Sequence, residues 1–189
     1  MENRNEEENI DPRELILLAK AGNSEAFGSL YKLYYTPIYR YIHYRLKDKD
    51  EVPDLVQTVF LKVYNALSSI SETTKEPLAY FYTVARNTLI DYRRKKKDIY
   101  ILDDEFAPDV VSEERGADEI FDDTSMFESV RSAMKELSKE QQEVLTLKFI
   151  QDLSYKEIAQ ILGKREDAVR QLQSRGLKIL KDTLDKKTK

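Results

Sequence analysis

The chain has 189 residues, with 31 Lys and Arg against 35 Asp and Glu, a formal net charge of −4 and no cysteine. The missing cysteines exclude disulfides and thiolate metal sites and fit a reducing compartment. No apolar run approaches the roughly 20 residues of a membrane span, and the first residues, MENRNEEEN, lack a signal peptide's apolar stretch, so a cytoplasmic protein without membrane insertion is expected.

The length suits one medium domain or two small ones. Residues 1–10 read as a disordered acidic tail. DPRELILLAKAGN, from Asp11, predicts a short helix with Pro12 at its first position and Gly22-Asn23 at its end. In SEAFGSLYKLYYTPIYRYIHYRL, Phe27, Leu30, Tyr31, Tyr34, Ile38, Tyr41, Ile42 and Tyr44 recur at three- and four-residue steps. This predicts a long helix bent near Pro37. DEVPDLVQTVFLKVYNAL gives a third helix through Leu55, Val56, Val59, Phe60, Val63 and Leu67, and EPLAYFYTVARNTLIDYRRKKK a fourth from about Pro77.

Residues 98–125 have no steady period and carry eleven acidic residues against one cation, net −10. They read as an acidic linker with transient structure. A second helical unit follows. MFESVRSAMKEL is amphipathic, and capping boxes at Ser138–Gln141 and Ser154–Glu157 open the helices KEQQEVLTLKFI and YKEIAQIL. Gly163 stops the second of these. The last helix runs from about Glu166 to Leu184, with Val169, Leu172, Leu177 and Leu180 as its expected buried side. The fold class is all-α: two small helical domains, over 11–97 and 126–184, joined by the acidic linker, with a tail at 185–189.

Charge is unevenly spread. Residues 75–97 hold seven cations and two anions, and residues 164–189 nine and four, each net +5. Two basic modules suggest one polyanion held at two places. On charge alone, two solvated helix faces account for the pattern equally well.

LSYKEIAQILGKREDAVRQLQSRGLKIL is a short capped helix, a Gly-containing turn and a longer basic helix, the helix-turn-helix arrangement. Ile158, Ala159, Ile161 and Leu162 hold the first helix, and Val169 and Leu172 seat the second. Arg165, Arg170, Gln171, Ser174 and Arg175 remain on the other side. Arg can bond guanine bidentately and Gln adenine, so that face suits a major groove. The plainer reading is a helical hairpin within a bundle.

LSKEQQEVLTLKFIQDLSYKEIAQILGKREDAVRQLQSRGLKIL closely resembles the C-terminal DNA-binding domain of bacterial sigma factors. EVPDLVQTVFLKVYNAL resembles the sigma helix that docks on the RNA polymerase clamp, and AYFYTVARNTLIDYRRKKK the helix that melts and reads the minus-ten element. The order of parts, with no room for the extra domains of housekeeping members, is that of the compact extracytoplasmic-function group. The resemblance covers residues 11–184.

It implies a transcription initiation factor, not an enzyme, without catalytic residues, cofactor or metal. Asp54, Leu55, Gln57, Phe60 and Leu61 would face core RNA polymerase, although simple core packing explains Phe60 equally well. Tyr80, Tyr82, Asn87, Thr88, Asp91, Tyr92, Arg93, Arg94 and Lys95 would meet minus-ten DNA, with Phe81 in the core. Aromatic rings can stack on unpaired bases, and Asn87 and Thr88 fall where the family forms a pocket for a flipped base. The five cations Arg93–Lys97 would clamp phosphates. Arg165, Arg170, Gln171, Ser174 and Arg175 would read the minus-thirty-five element of promoter DNA. An anti-sigma factor is the further partner implied. The linker would thread the polymerase cleft, or serve only as a solvated spacer.

Two departures stand out. EDAVRQLQSRG replaces the common GTVRSRLHRAR, with Glu166 and Asp167 placing negative charge at the helix start, and Thr83 stands where many relatives carry a cation. The target sequence therefore does not follow from the resemblance. Two other classes fit the sequence less well. A helix-turn-helix regulator acting on duplex DNA without polymerase leaves the helix at 52–67 unexplained. An enzyme using Asp103, Asp104 and Glu105 for Mg²⁺ has no phosphate loop beside them, and the only histidine, His43, sits on a Tyr-rich helix.

Overall fold

The computed structural model describes residues 11–46, 48–70, 76–97 and 129–187. The expected acidic tail and the linker at 98–125 lie outside the described residues. Among the described residues no helix is long and apolar enough to cross a membrane.

Four helices form the first bundle: α1 (Pro12–Lys20), α2 (Ser24–His43), α3 (Val52–Ala66) and α4 (Pro77–Lys97). Short polar residues start the first two. Asp11 accepts from the Arg13 amide at 2.9 Å and Asn23 from the Ala26 amide at 3.1 Å, each satisfying an orphan N–H of the first turn. Gly22, at φ 94°, makes the turn between α1 and α2, where a side chain would be strained. Pro37 sits inside α2, which continues through it as one helix, and Tyr34, Ile38 and Tyr41 on either side stay buried.

α2, α3 and α4 meet on one ring. Phe81, fully buried, packs edge-on against Tyr34 of α2 at 4.9 Å and at a tilt against Phe60 of α3 at 5.4 Å. Around it Leu30, Ile38, Ile42, Val56, Val59, Val63 and Ala85 are also fully buried. The valines of α3 recur at i, i+3, i+7, the stripe that faces a core.

The second bundle contains α5 (129–134), α6 (Lys139–Leu145), α7 (Tyr155–Leu162) and α8 (Glu166–Lys187). Both expected capping boxes form, with each arm made at Ser138/Gln141 and at Ser154/Glu157. The helix expected to run unbroken through TLKFI does not. α6 ends at Leu145, and Thr146–Ile150 widens into a π-helical turn in which the Gln151 amide donates to the Thr146 carbonyl at 3.2 Å. Asp152 then takes a left-handed φ of 51°, a conformation that Asp tolerates better than most residues.

Gly163, at φ 62°, closes α7 and turns the chain into α8. The buried side of α8 is Val169, Leu172, Gly176 and Leu180 rather than the expected set with Leu177, which is 41% exposed. Steps of three, four and four residues keep one face, and Leu177 lies about 100° round from Gly176. A Cβ on Gly176 would stand 3.2 Å from Leu145 Cδ1 and 3.3 Å from Leu137 Cδ2. The missing side chain is what lets α8 approach α6.

The bundles pack together through α4 and α7, and one apolar cluster runs through both. A polar seam crosses the same junction. Tyr41 donates to Glu143 Oε1 at 2.6 Å, and Arg45 donates to Glu143 Oε2 at 3.1 Å and to the Tyr41 carbonyl at 3.0 Å. The Arg45 guanidinium also lies over the Tyr41 ring, 3.7 Å from its centre. Further along, Tyr82 donates to Gln151 Oε1 at 2.8 Å, and Lys156 pairs with Glu76 at 2.6 Å.

Candidate nucleic-acid interface

Three surfaces come from the residues singled out in the sequence. The first is the outer side of α3. Asp54, Gln57 and Leu61 are exposed there at i, i+3 and i+7, and Leu61 is 60% exposed. Leu55 and Phe60 are not on this surface. They are 8% and 3% exposed, because their helical positions fall on the core stripe with Val56, Val59 and Val63. Tyr64, 52% exposed and edge-on to Phe27 at 5.0 Å, continues the outer row. The sequence reading missed Tyr64, although the step from Leu61 would have found it.

The second surface is the far half of α4. Asn87, Arg94 and Lys95 are exposed, and Tyr80, Asp91, Tyr92 and Arg93 are half-buried. Tyr82 and Thr88 are placed otherwise than as base-facing groups. Tyr82 is 1% exposed and Thr88 3%. Tyr82 is covered by α2 and by the second bundle, edge-on to Tyr41 at 5.1 Å and hydrogen-bonded to Gln151. Burial pushes the Tyr82 hydroxyl well above the ordinary tyrosine pKa. Thr88 accepts from Lys62 Nζ at 3.2 Å, and Lys62 also pairs with Asp91 at 3.5 Å.

The cation run divides in two. Arg93 donates to the Arg45 carbonyl at 2.7 Å, and Lys96 pairs with Glu51 at 2.9 Å and Asp48 at 3.8 Å. These two fasten the end of α4 to the connection between α2 and α3. Arg94 lies 3.5 Å from Asp91 with its side chain 75% exposed, and Lys95 is exposed. Sequence alone could not divide them, since the partners come from 45 and 48 positions away. The Lys97 side chain lies outside the described residues.

The third surface is α8 and the turn before it. Arg165, Arg170, Gln171, Ser174 and Arg175 are all exposed, as a groove-reading face requires. Arg165 contacts Asp167 at 3.2 Å, a pair so exposed that it restrains little. Tyr155, at the start of α7, lies beneath Arg170, whose guanidinium carbon is 3.9 Å from the ring centre. The Tyr155 hydroxyl donates to Gln173 Oε1 at 2.6 Å. Neither Tyr155 nor Gln173 carries a signal in the sequence beyond helical packing.

The junction has its own electrostatics. Burial is the largest influence on both Tyr41 and Arg45. It raises the Tyr41 pKa far above the ordinary range and works against the charge on Arg45, where Tyr41 and Glu143 outweigh it and leave the pKa raised. Among the described residues no group of three or more His, Cys, Asp and Glu could hold a metal ion.

Comparison with known proteins fits this layout. Residues 30–99 match the family described as Sigma-70 region 2, and residues 127–180 the family described as Sigma-70, region 4. The ECF RNA polymerase sigma factor SigX of Bacillus subtilis is 30% identical over 165 residues, 85% of this chain and 84% of SigX. The ECF RNA polymerase sigma factor BldN of Streptomyces coelicolor is 31% identical over 167 residues, 88% of this chain but only 63% of BldN. The solved sigma factor RpoE of Bartonella quintana, in complex with the anti-sigma factor NepR, shares the fold at a TM-score of 0.63 and 20% identity, covering 84% of this chain and 96% of that one. Region 2 takes in the α3 helix that a plain helix-turn-helix regulator leaves unexplained. With regions 2 and 4 in order and relatives matched over most of their length, the chain belongs to the ECF group of RNA polymerase sigma factors, non-catalytic polymerase subunits that direct promoter recognition.

Proposed function

We propose that this sigma factor meets core RNA polymerase through the outer row of α3, reads and helps melt the minus-ten element with α4, and reads the minus-thirty-five element with α8. The working units are residues 11–97 and 126–184, joined by the linker at 98–125. The single observation that carries the reading is the α8 face. Arg170, Gln171, Ser174 and Arg175 are exposed together on a helix seated by Val169 and Leu172 and preceded by a capped α7. That is the geometry of a helix presented to a major groove.

At the polymerase, Asp54, Gln57 and Leu61 make the contact and Tyr64 extends it. Leu55 and Phe60 shape the helix from within. On α4, Asn87 reads a base edge, Tyr80 and Tyr92 offer ring faces, Asp91 sets Lys62, and Arg94 and Lys95 contact phosphate. Arg93 supports them from the Arg45 carbonyl. Tyr82 reaches DNA only when region 4 has moved off α4, and Thr88 stays within the first bundle as the acceptor that holds Lys62. An anti-sigma factor is the expected inhibitor, as for the Bartonella relative, and the cytoplasm the expected compartment.

The test is association with bacterial core RNA polymerase, followed by gel filtration and fluorescence anisotropy. Stoichiometric binding weakened by Asp54→Ala with Gln57→Ala supports the reading. Sequence-specific duplex binding by the chain alone, with no polymerase association at micromolar concentration, refutes it.

A further inference from the structure

Tyr155 opens α7 and touches two residues of α8. Its ring carries the Arg170 guanidinium at 3.9 Å, and its hydroxyl donates to Gln173 Oε1 at 2.6 Å. Lys148 Nζ also approaches the ring, at 5.4 Å, while donating to the Leu153 carbonyl at 3.0 Å. Arg170 and Gln173 are three residues apart and therefore neighbours on one side of the helix. The ring itself is half-buried against the core, so it is anchored where Arg170 is not.

Arg170 is exposed, and none of its guanidinium N–H groups has a hydrogen-bond partner among the described residues. Five donors in a rigid plane are therefore open to a ligand. A guanidinium is attracted to the face of an aromatic ring. An exposed arginine otherwise samples many rotamers and loses that freedom on binding, and one already laid on a ring loses less.

We infer that Tyr155 is a positioning residue for minus-thirty-five recognition: its ring holds the plane of Arg170 for the base edge, and Gln173 locks the ring through the hydroxyl. The inference rests on the proposed reading of Arg170 as a base contact. It adds a residue of the supporting helix, and a buried-side residue of the recognition helix, to the determinants of specificity.

The test uses the full chain assembled with bacterial core RNA polymerase. The holoenzyme selects from a pool of duplexes randomised over the minus-thirty-five segment, and sequencing of the bound fraction gives the preference at each position. Arg170→Ala identifies the position read by Arg170 by a loss of about tenfold or more. Tyr155→Leu is expected to lower preference at that same position about two- to fivefold and to leave the others unchanged. Tyr155→Phe, which keeps the ring, should stay within about twofold of the parent. With Arg170→Ala already present, Tyr155→Leu should have no further effect. Gln173→Ala leaves the ring in place and carries the test if Tyr155→Leu does not fold, with a smaller loss at the same position expected. A Tyr155→Leu or Gln173→Ala protein whose loss is absent, or is spread evenly over all positions, overturns the inference. An Arg170→Ala protein with an unaltered preference overturns the base contact itself, and the Arg170 variant alone distinguishes that failure.

Discussion

Arg45 and Glu143 lie 98 positions apart in the chain and 3.1 Å apart in space, with side chains only 2% and 11% exposed. Glu143 is the one acid that serves both Arg45 and the Tyr41 hydroxyl. Removing one member of a buried pair leaves the other charge without a partner, at a cost of roughly 3–5 kcal/mol. Glu143→Ala is therefore expected to loosen region 4 from region 2. A lower unfolding midpoint together with a larger radius of gyration in solution scattering is the expected result. A radius equal to the parent's would show that the apolar contacts of α4 and α7 suffice.

Phe81 is the ring on which α2, α3 and α4 converge. Phe81→Ala should cost about 3–5 kcal/mol, the usual penalty for emptying such a site. Urea unfolding monitored by circular dichroism checks this, and a cost below about 1 kcal/mol would mean the three helices hold without it.

Gly176 allows the approach of α8 to α6. Gly176→Val should cost about 1–3 kcal/mol through overpacking. Gly176→Ala should fall within about 1 kcal/mol of the parent, because the gain in helix propensity offsets a mild crowding of two leucine methyls. Thermal melts of both variants decide whether the contact is tight or yielding.

Three buried tyrosines make the fold sensitive to alkali. Burial raises the pKa of Tyr34, Tyr41 and Tyr82 in the folded chain above the ordinary value of 10.0. The folded state then keeps protons that the unfolded state gives up. The stability these groups contribute is fully present below about pH 10 and falls as pH rises above it, by up to about 1.4 kcal/mol per pH unit for each. Urea midpoints at pH 8 and pH 11 should show the drop, and Tyr82→Phe should lessen it.

The cation run separates by assay. Arg94→Ala and Lys95→Ala should each reduce the salt dependence of promoter binding by about 0.7–0.9 in slope, with little effect on stability. Arg93→Ala should instead lower stability, since it removes the bond to the Arg45 carbonyl. Equal salt effects at all three positions would contradict the division.

Helix positions, both capping boxes and the helix-turn-helix were legible because caps and three- and four-residue periods are local. The buried side of α8 slipped by one residue because a glycine gives no apolar signal, and Leu177 beside it does. Tyr82 and Phe81 are adjacent aromatics that composition cannot rank. Part of the cover over Tyr82 is Gln151, 69 positions away, carried there by a π-helical turn that no cap or period announces. For Leu55 and Phe60 the resemblance points to a partner, whereas the period of α3 places them with the valines, the core packing already open for Phe60.

On the proposed reading, the junction between the bundles covers Tyr82 of the minus-ten set and spares the polymerase-facing row of α3. Asp54, Gln57, Leu61 and Tyr64 stand clear of it, while Tyr82 lies beneath it. A row that is always available and a ring uncovered only by separation would impose a sequence of events. On the reading above, polymerase capture needs no rearrangement and can come first. Full engagement of the minus-ten strand must wait, so that the factor arrives at the enzyme before it is competent to hold open DNA.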